Sequence, residues 1–212
     1  MVDLGPLAAC ALLQAFDCSH CGWVADLGPL ATCTSLHTVD CSGNTVTELG
    51  PLLASCASLQ ILGCSDNAVA DLGPLAACTG LRALDCSKNG MTDLGPLAAC
   101  TLLETLNCGW SCYVADLGPL AACTALRDLD CCETAVADLR PLAVCTALQK
   151  LDCSNTRVKE LSSLAACQLL HTLNIWYTEV VDLGPLAACT ALHTLMTCLK
   201  VGHPKLHAPP PR

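Results

Sequence analysis

Cysteine offers this chain the most chemistry: there are twenty in 212 residues. Close cysteine pairs suggest disulfides or a metal site. Cys18-Ser19-His20-Cys21 has the spacing of half a zinc site, and Cys108-Gly109-Trp110-Ser111-Cys112 is a looser pair. Most of the others recur at fixed intervals. Cys18, Cys41, Cys64, Cys86, Cys108, Cys131, Cys153 and Cys198 are placed in a recurring Leu-x-x-Leu-Asp-Cys segment. Cys10, Cys33, Cys56, Cys78, Cys100, Cys123, Cys145, Cys167 and Cys189 end a recurring Leu-Ala-Ala-Cys segment. Such placement is that of a core residue, because a free thiol packs as a small hydrophobe. So many unpaired thiols imply a reducing compartment and a cytoplasmic protein, with nuclear or exported locations left open. Cys21, Cys112 and Cys132 lie off these ladders. Cys132 is expected to point outward beside buried Cys131 and to be the thiol most open to reaction.

The carboxylates sort in the same way. Asp3, Asp26, Glu48, Asp71, Asp93, Asp116, Asp138, Glu160 and Asp182 share one position, mostly before Leu-Gly-Pro. There a carboxylate can accept backbone N–H groups at the start of a helical turn. Asp17, Asp40, Asp85, Asp130 and Asp152 form a second series, continued by Asn107 and Asn174 and interrupted by Gly63 and Met196. A line of like charges favours a basic partner or a bridging cation; alternatively it keeps a surface soluble. No phosphate-binding glycine loop, nucleophile elbow or zinc-protease motif occurs, and no histidine is paired with a nucleophile. The sequence therefore assigns no catalytic residue, cofactor or metal, and the chain is expected not to be an enzyme.

What positions these residues is a repeat. Leading leucines fall at Leu13, Leu36, Leu59, Leu81, Leu103, Leu126, Leu148, Leu170 and Leu192, in steps of 22 or 23. Self-similarity at such a period signals a solenoid. In the unit starting at Leu81, Ala83-Leu84-Asp85-Cys86-Ser87 alternates as a half-buried strand does, with Leu84 and Cys86 inward and Asp85 and Ser87 outward. Lys88-Asn89-Gly90 is a turn, and Met91 and Leu94 return to the core. Gly95-Pro96 then opens a short helical or 3₁₀ segment, since proline suits a first turn whose N–H would be unpaired. The two close cysteine pairs lie four units apart, roughly 19 Å at ~4.8 Å per strand, and cannot share an ion.

The unit Leu81-Arg82-Ala83-Leu84-Asp85-Cys86-Ser87-Lys88-Asn89-Gly90-Met91-Thr92-Asp93-Leu94-Gly95-Pro96-Leu97 resembles the leucine-rich-repeat family, in its 22-residue class seen in bacterial internalins and the nuclear regulator of protein phosphatase 1. The resemblance implies a right-handed α/β superhelix, with a parallel concave sheet and short helical or 3₁₀ segments on the convex side. It covers one repeat domain over residues 1–200. It implies that Asn44, Asn67 and Asn89 bond the backbone of adjacent turns, and that Thr134, Thr156 and Thr178 do so less fully. It also implies a protein-binding scaffold, with a phosphatase regulatory subunit or a cell-surface adhesion module as alternatives.

In a repeat array, individuality lies in residues that leave the consensus. Trp23, Trp110, Tyr113, Trp176 and Tyr177 are such residues, and exposed aromatics are favoured interface anchors. Trp23 and Trp110 could instead fold back over their turns. The expected protein-binding site is the concave surface and rim carrying Asp85, Asn107, Trp110, Asp128, Asp130, Lys150, Asp152, Asn174, Trp176 and Tyr177. The net charge of −9 disfavours nucleic acid, and no apolar run is long enough to cross a membrane. The expected partner is another, basic, protein. The first residues contain no basic n-region and no long apolar stretch, so no secretory signal is expected. Residues 201–212 break the period and are expected to be disordered or polyproline-like. Neither end has a capping unit, so exposed core and end-to-end self-association are expected.

Overall fold

The computed structural model describes residues 3–53 and 58–198. Nine strands pair in chain order in one parallel sheet. They are β1 (Ala15–Asp17), β2 (Thr38–Asp40), β3 (Ile61–Gly63), β4 (Ala83–Asp85), β5 (Thr105–Asn107), β6 (Asp128–Asp130), β7 (Lys150–Asp152), β8 (Thr172–Ile175) and β9 (Thr194–Thr197). Register never slips: Leu84 lies beside Leu106, Leu106 beside Leu129, and Leu129 beside Leu151. Each strand belongs to one unit, numbered here 1 to 9 from its leading leucine.

Most helical segments are 3₁₀, and their leucine spacing explains why. Leu97 N–H donates to Leu94, Cys100 to Leu97 and Leu103 to Cys100, each three residues back. A 3₁₀ turn brings every third residue to one side. Leu94, Leu97, Cys100 and Leu103 thus share one buried edge, each 0–1% exposed. Unit 2 departs from this pattern. It carries an extra residue and a double leucine, and Gly50–Leu53 is α-helical, with Leu53 N–H reaching Leu49 four residues back. The extra residues in units 1 and 5 lengthen the turn after the strand instead.

The core is one continuous stack of leucine, valine and cysteine. The thiols do more than fill space. Cys123 Sγ donates to the Leu97 and Cys100 carbonyls of the preceding unit at 3.4 and 3.6 Å. Cys145 and Cys167 repeat that arrangement one unit on. The strand thiols point the other way: Cys41, Cys86 and Cys108 donate to Gly63, Asn107 and Asp130 of the following unit. Each S–H is a weak donor, but it meets a backbone carbonyl that leucine could not serve.

Two expectations about this core need correction. Cys198 is not in the strand ladder. Thr197 lies beside Ile175 in the register, which leaves Cys198 one residue further on and exposed. Ser87 is buried although it leaves the strand on its outward side, because its hydroxyl turns back to Asp85 at 2.7 Å. At the ends, Leu195 is 37% exposed where Leu173 is fully covered, and Cys10 is exposed where Cys33 is not. The expected disordered segment, 201–212, lies outside the described residues.

Candidate functional site

Both carboxylate series are built into corners of the repeat. Asp71, Asp93 and Asp116 each accept the N–H of the residue two ahead, Gly73, Gly95 and Gly118, at 2.6–2.7 Å. Glu48 and Glu160 make no such bond among the described residues, because their extra methylene moves the carboxylate past that N–H. Asp138 also grips the Arg140 side chain, whose hydrogen bonds hold its carboxyl below the usual carboxylate range.

The mid-strand series uses the same device at the other corner. Asp40, Asp130 and Asp152 accept the N–H of Ser42, Cys132 and Ser154 at 2.9 Å. Asn107 and Asn174 do this for Gly109 and Trp176 at 3.1 Å. The Ser19 N–H likewise holds the Asp17 carboxyl below its ordinary value. Gly63 interrupts the series because Asp40 leans across it: a Cβ there would meet Asp40 Oδ1 at 2.7 Å. One carboxylate oxygen therefore closes a turn and the other faces outward. At Asp152 that second oxygen accepts Asn174 Nδ2 at 2.7 Å.

The second half of this face carries a depression spanning β5 to β9. Asn107, Asp130, Asp152, Asn174 and Met196 run along it, with Asp128 and Lys150 at its side. Asp128 and Lys150 lie beside each other in the register and pair at 3.3 Å. Arg82, Glu104 and Arg127 form a ladder of ion pairs at 2.6 and 3.6 Å, one residue before the strands. His171 and His193 continue that row with rings stacked 5.1 Å apart. Asp130 and Asp152 are register neighbours, and neither forms an ion pair among the described residues.

The structure therefore gathers six of the expected residues, Asn107, Asp128, Asp130, Lys150, Asp152 and Asn174, into one hollow. Asp85 lies on the same column outside it. Trp110, Trp176 and Tyr177 stand at the turns above. Trp176 and Tyr177 pack against each other at 5.0 Å and both are about half exposed. Trp23 and Trp110 are 70% and 58% exposed, so neither ring covers the core. Thr105, Thr172 and Met196 also line the hollow. Their signal in the sequence was their column: Met196 appeared there only as a gap in the acidic series.

Sequence reasoning missed one row entirely. His20, Asp66, Lys88, Trp110, Glu133, Asn155 and Tyr177 hold equivalent turn positions, and all have φ between 53° and 60°. Unit 2 places Gly43 there. The left-handed region costs an ordinary residue roughly 1–2 kcal/mol. Gly43, Asp66 and Asn155, types that tolerate this conformation, were the legible clue. At Trp110 and Tyr177 the conformation holds a large ring out from the turn.

The buried thiols are chemically quiet. Burial pushes Cys41 and Cys108 up to about 12, and Cys78, Cys123 and Cys167 up to about 11. Cys132 reverses its expectation. Its thiol is half-buried, hydrogen-bonds to the Asp130 carboxylate and faces Asp152 and Glu133, so its ionisation is suppressed well above the ordinary thiol value. A thiol that resists forming thiolate is a poor nucleophile.

No protein-family model matches the sequence, and no curated protein matches it. Solved structures do match. An internalin F of Listeria monocytogenes is 29% identical with a TM-score of 0.78, covering 82% of this chain and 51% of that one. This chain therefore spans about half the length of that protein. Internalin C2 of the same species superimposes with a TM-score of 0.86 at 23% identity, covering 90% and 84%. A leucine-rich-repeat protein of Leptospira interrogans gives 0.69 at 15% identity, covering 84% and 52%. The chain has the leucine-rich-repeat fold and resembles the internalins in it. No helix among the described residues is long and apolar enough to cross a membrane.

Proposed function

We propose that this leucine-rich-repeat chain is a non-catalytic scaffold that binds another protein across the outward face of β5–β8. One observation carries the reading: the hollow on that face sets the variable Asp128 and Lys150 beside the repeated column of Asn107, Asp130, Asp152 and Asn174, beneath the exposed Trp176–Tyr177 pair. Consensus positions build the scaffold; variable ones are free to choose a partner. Aromatic rings beside carboxylates that form no ion pair among the described residues suit a partner with cationic side chains. The net charge of −9 opposes nucleic acid. The wealth of buried free thiols supports a reducing compartment.

The test compares proteins captured from the native cell by the wild-type chain and by a Trp176→Ala/Asp130→Asn variant. Asparagine closes the same turn at Asn107 and Asn174, so the fold should survive. Loss of a stoichiometric partner is expected. An unchanged set of partners would overturn this face as the binding site.

The likeness to internalins favours one second reading, an adhesion module exported from the cell. Thiol titration of the denatured native protein separates the two. About twenty reactive thiols support the scaffold in a reducing compartment. Few reactive thiols would support the exported module.

A further inference from the structure

Unit 1 differs from the units after it at the last corner of the turn that leaves the strand. Ser19 and His20 are the middle of that turn, with Cys18 and Cys21 at its corners. Asn44, Asn67 and Asn89 hold the place of Cys21 in units 2 to 4, Ser111 in unit 5, and Thr134, Thr156 and Thr178 in units 6 to 8. Each follows by three residues a buried strand residue, which is cysteine in units 2 to 7 and Ile175 in unit 8. Among the described units, only unit 1 has a thiol at both corners.

The turn draws those corners together. His20 is left-handed, at φ 56°, and a turn sets its corner Cα atoms less than ~7 Å apart. A disulfide needs roughly 4.4–6.8 Å. Side chains in the place of Cys21 also fold back towards the first corner. Asn44 Nδ2 donates to the Cys41 carbonyl at 3.0 Å, and the Thr134 and Thr156 hydroxyls donate to the Cys131 and Cys153 carbonyls at 2.6 Å. Burial pushes the Cys18 thiol up to about 11, and the charge of Cys21 adds to that rise, so each sulfur lies within the field of the other. Access is divided between them: Cys18 is buried and Cys21 is exposed. The next thiol along the strand ladder, Cys41, is fully covered, and its S–H is given to the Gly63 carbonyl.

We propose that Cys18 and Cys21 are a reversible dithiol site, which a low-molecular-weight disulfide of the glutathione type oxidises to a disulfide across the turn. The Cys21 thiolate attacks one sulfur of the incoming disulfide. That S–S bond breaks, and the departing thiolate takes up the proton that Cys21 released. Cys18 then gives up its proton and attacks Cys21 Sγ. The second small thiolate leaves and takes that proton. Two protein thiols and one small disulfide thus become one protein disulfide and two small thiols. Exposed disulfides are among the readily reduced ones, so a reducing compartment keeps the pair open and oxidation closes it. The site belongs to unit 1, away from the hollow on β5 to β9, and is independent of the reading of that face.

The sequence supplies a clean assay. Cleavage before aspartate releases residues 17–25, which contain these two cysteines and no other. The full chain is equilibrated in glutathione buffers of rising oxidation, quenched in acid, unfolded and alkylated, and that peptide is weighed. In reduced glutathione it should carry an alkyl group on each cysteine. In oxidised glutathione about nine molecules in ten should carry none and lack the two thiol hydrogens. Cys18→Ala should instead retain glutathione on Cys21, about ten-fold more than the wild type, because nothing expels it. Cys21→Ser, a change at an exposed residue, should leave Cys18 alkylated and free of glutathione in every buffer. Glutathione held on Cys21 of the wild-type chain, both thiols alkylated in every buffer, or Cys18 joined to Cys41 would overturn the proposal. Oxidation of Cys18 in Cys21→Ser as fast as in the wild type would overturn Cys21 as the point of entry, and the turn disulfide with it.

Discussion

Asn67 bonds across to the unit before it, whereas Thr134, at the same repeat position, stays within its own. Asn67 Oδ1 accepts the Val46 N–H, and its Nδ2 donates to Cys41, Cys64 and Ser65 carbonyls at 2.9–3.1 Å. Asn44 and Asn89 do the same. Thr134, Thr156 and Thr178 each give one hydroxyl bond to a carbonyl three residues back. Yet the strand register runs through both halves without a break. The comparison separates two jobs that a repeat usually merges. Strand pairing and leucine stacking hold the units in line; the asparagine ties one unit to the next through its buried turn. In the second half, ties between units move to the surface, as Arg82–Glu104–Arg127, Asp128–Lys150 and Lys159–Glu179. The first 81 residues contain no lysine or arginine with which to make them.

The largest expected effect ignores this boundary. Fourteen thiols, from Cys18 to Cys189, have their ionisation raised above the ordinary 9.0. A raised folded-state pKa leaves stability intact below the unfolded value. It removes stability as pH climbs from there towards the folded value, because the unfolded chain has then released protons that the folded chain still holds. Each thiol costs up to about 1.4 kcal/mol per pH unit in that window. A dozen or more acting together should unfold the chain within about one pH unit above 9, against a typical stability of 5–15 kcal/mol. Circular dichroism against pH should show one steep step. Two steps would mean that the halves are less joined than their common thiol ladders imply.

Next in size is the asparagine itself. Asn67→Ala leaves an N–H and three carbonyls short of a partner in the turn, and should cost about 3 kcal/mol in urea unfolding. Thr134→Ala should cost about 1 kcal/mol. Equal losses would erase the distinction between the halves. Ser111 marks the junction. It holds the asparagine position of unit 5, is fully buried, and its hydroxyl has no partner among the described residues. Ser111→Ala should therefore stabilise the chain by about 1 kcal/mol, and a clear loss would show that the hydroxyl is satisfied in solution. The smallest effect should come from salt. Exposed ion pairs are worth about 0–1 kcal/mol each and are screened. Hydrogen exchange in 1 M salt should quicken slightly in units 4–8 and leave units 2 and 3 unchanged.

The period, the inward leucines and most of the thiol ladders were readable because each is repeated many times. The strand thiols fail at one end for the same reason. The last unit has one copy and no successor, so Thr197 and Cys198 could not be told apart by pattern. Of the hollow residues, Asp130, Asp152, Asn107 and Asn174 were legible as a repeated column and Asp128 and Lys150 as departures from consensus, but their gathering depends on side-chain geometry: Asp128 is tied to Lys150, and Asp152 to Asn174. Cys132 was misread because parity gives direction and not surroundings. Its neighbour Asp130 lies two residues away, and only the turn brings carboxylate and thiol together. The left-handed turn row stayed hidden because most units place ordinary residues there.

The convex thiols of units 5–8 all reach backward in the same way, each to carbonyls supplied by backbone and never by a particular side chain. This contact is therefore the same whichever of these units follows another. Excising one whole unit from this stretch would leave the new junction with the same kind of thiol-to-carbonyl contact as those already present. The array can lengthen or shorten by recombination without refitting its interior, and the outward residues carried by each unit can be shuffled at the same time.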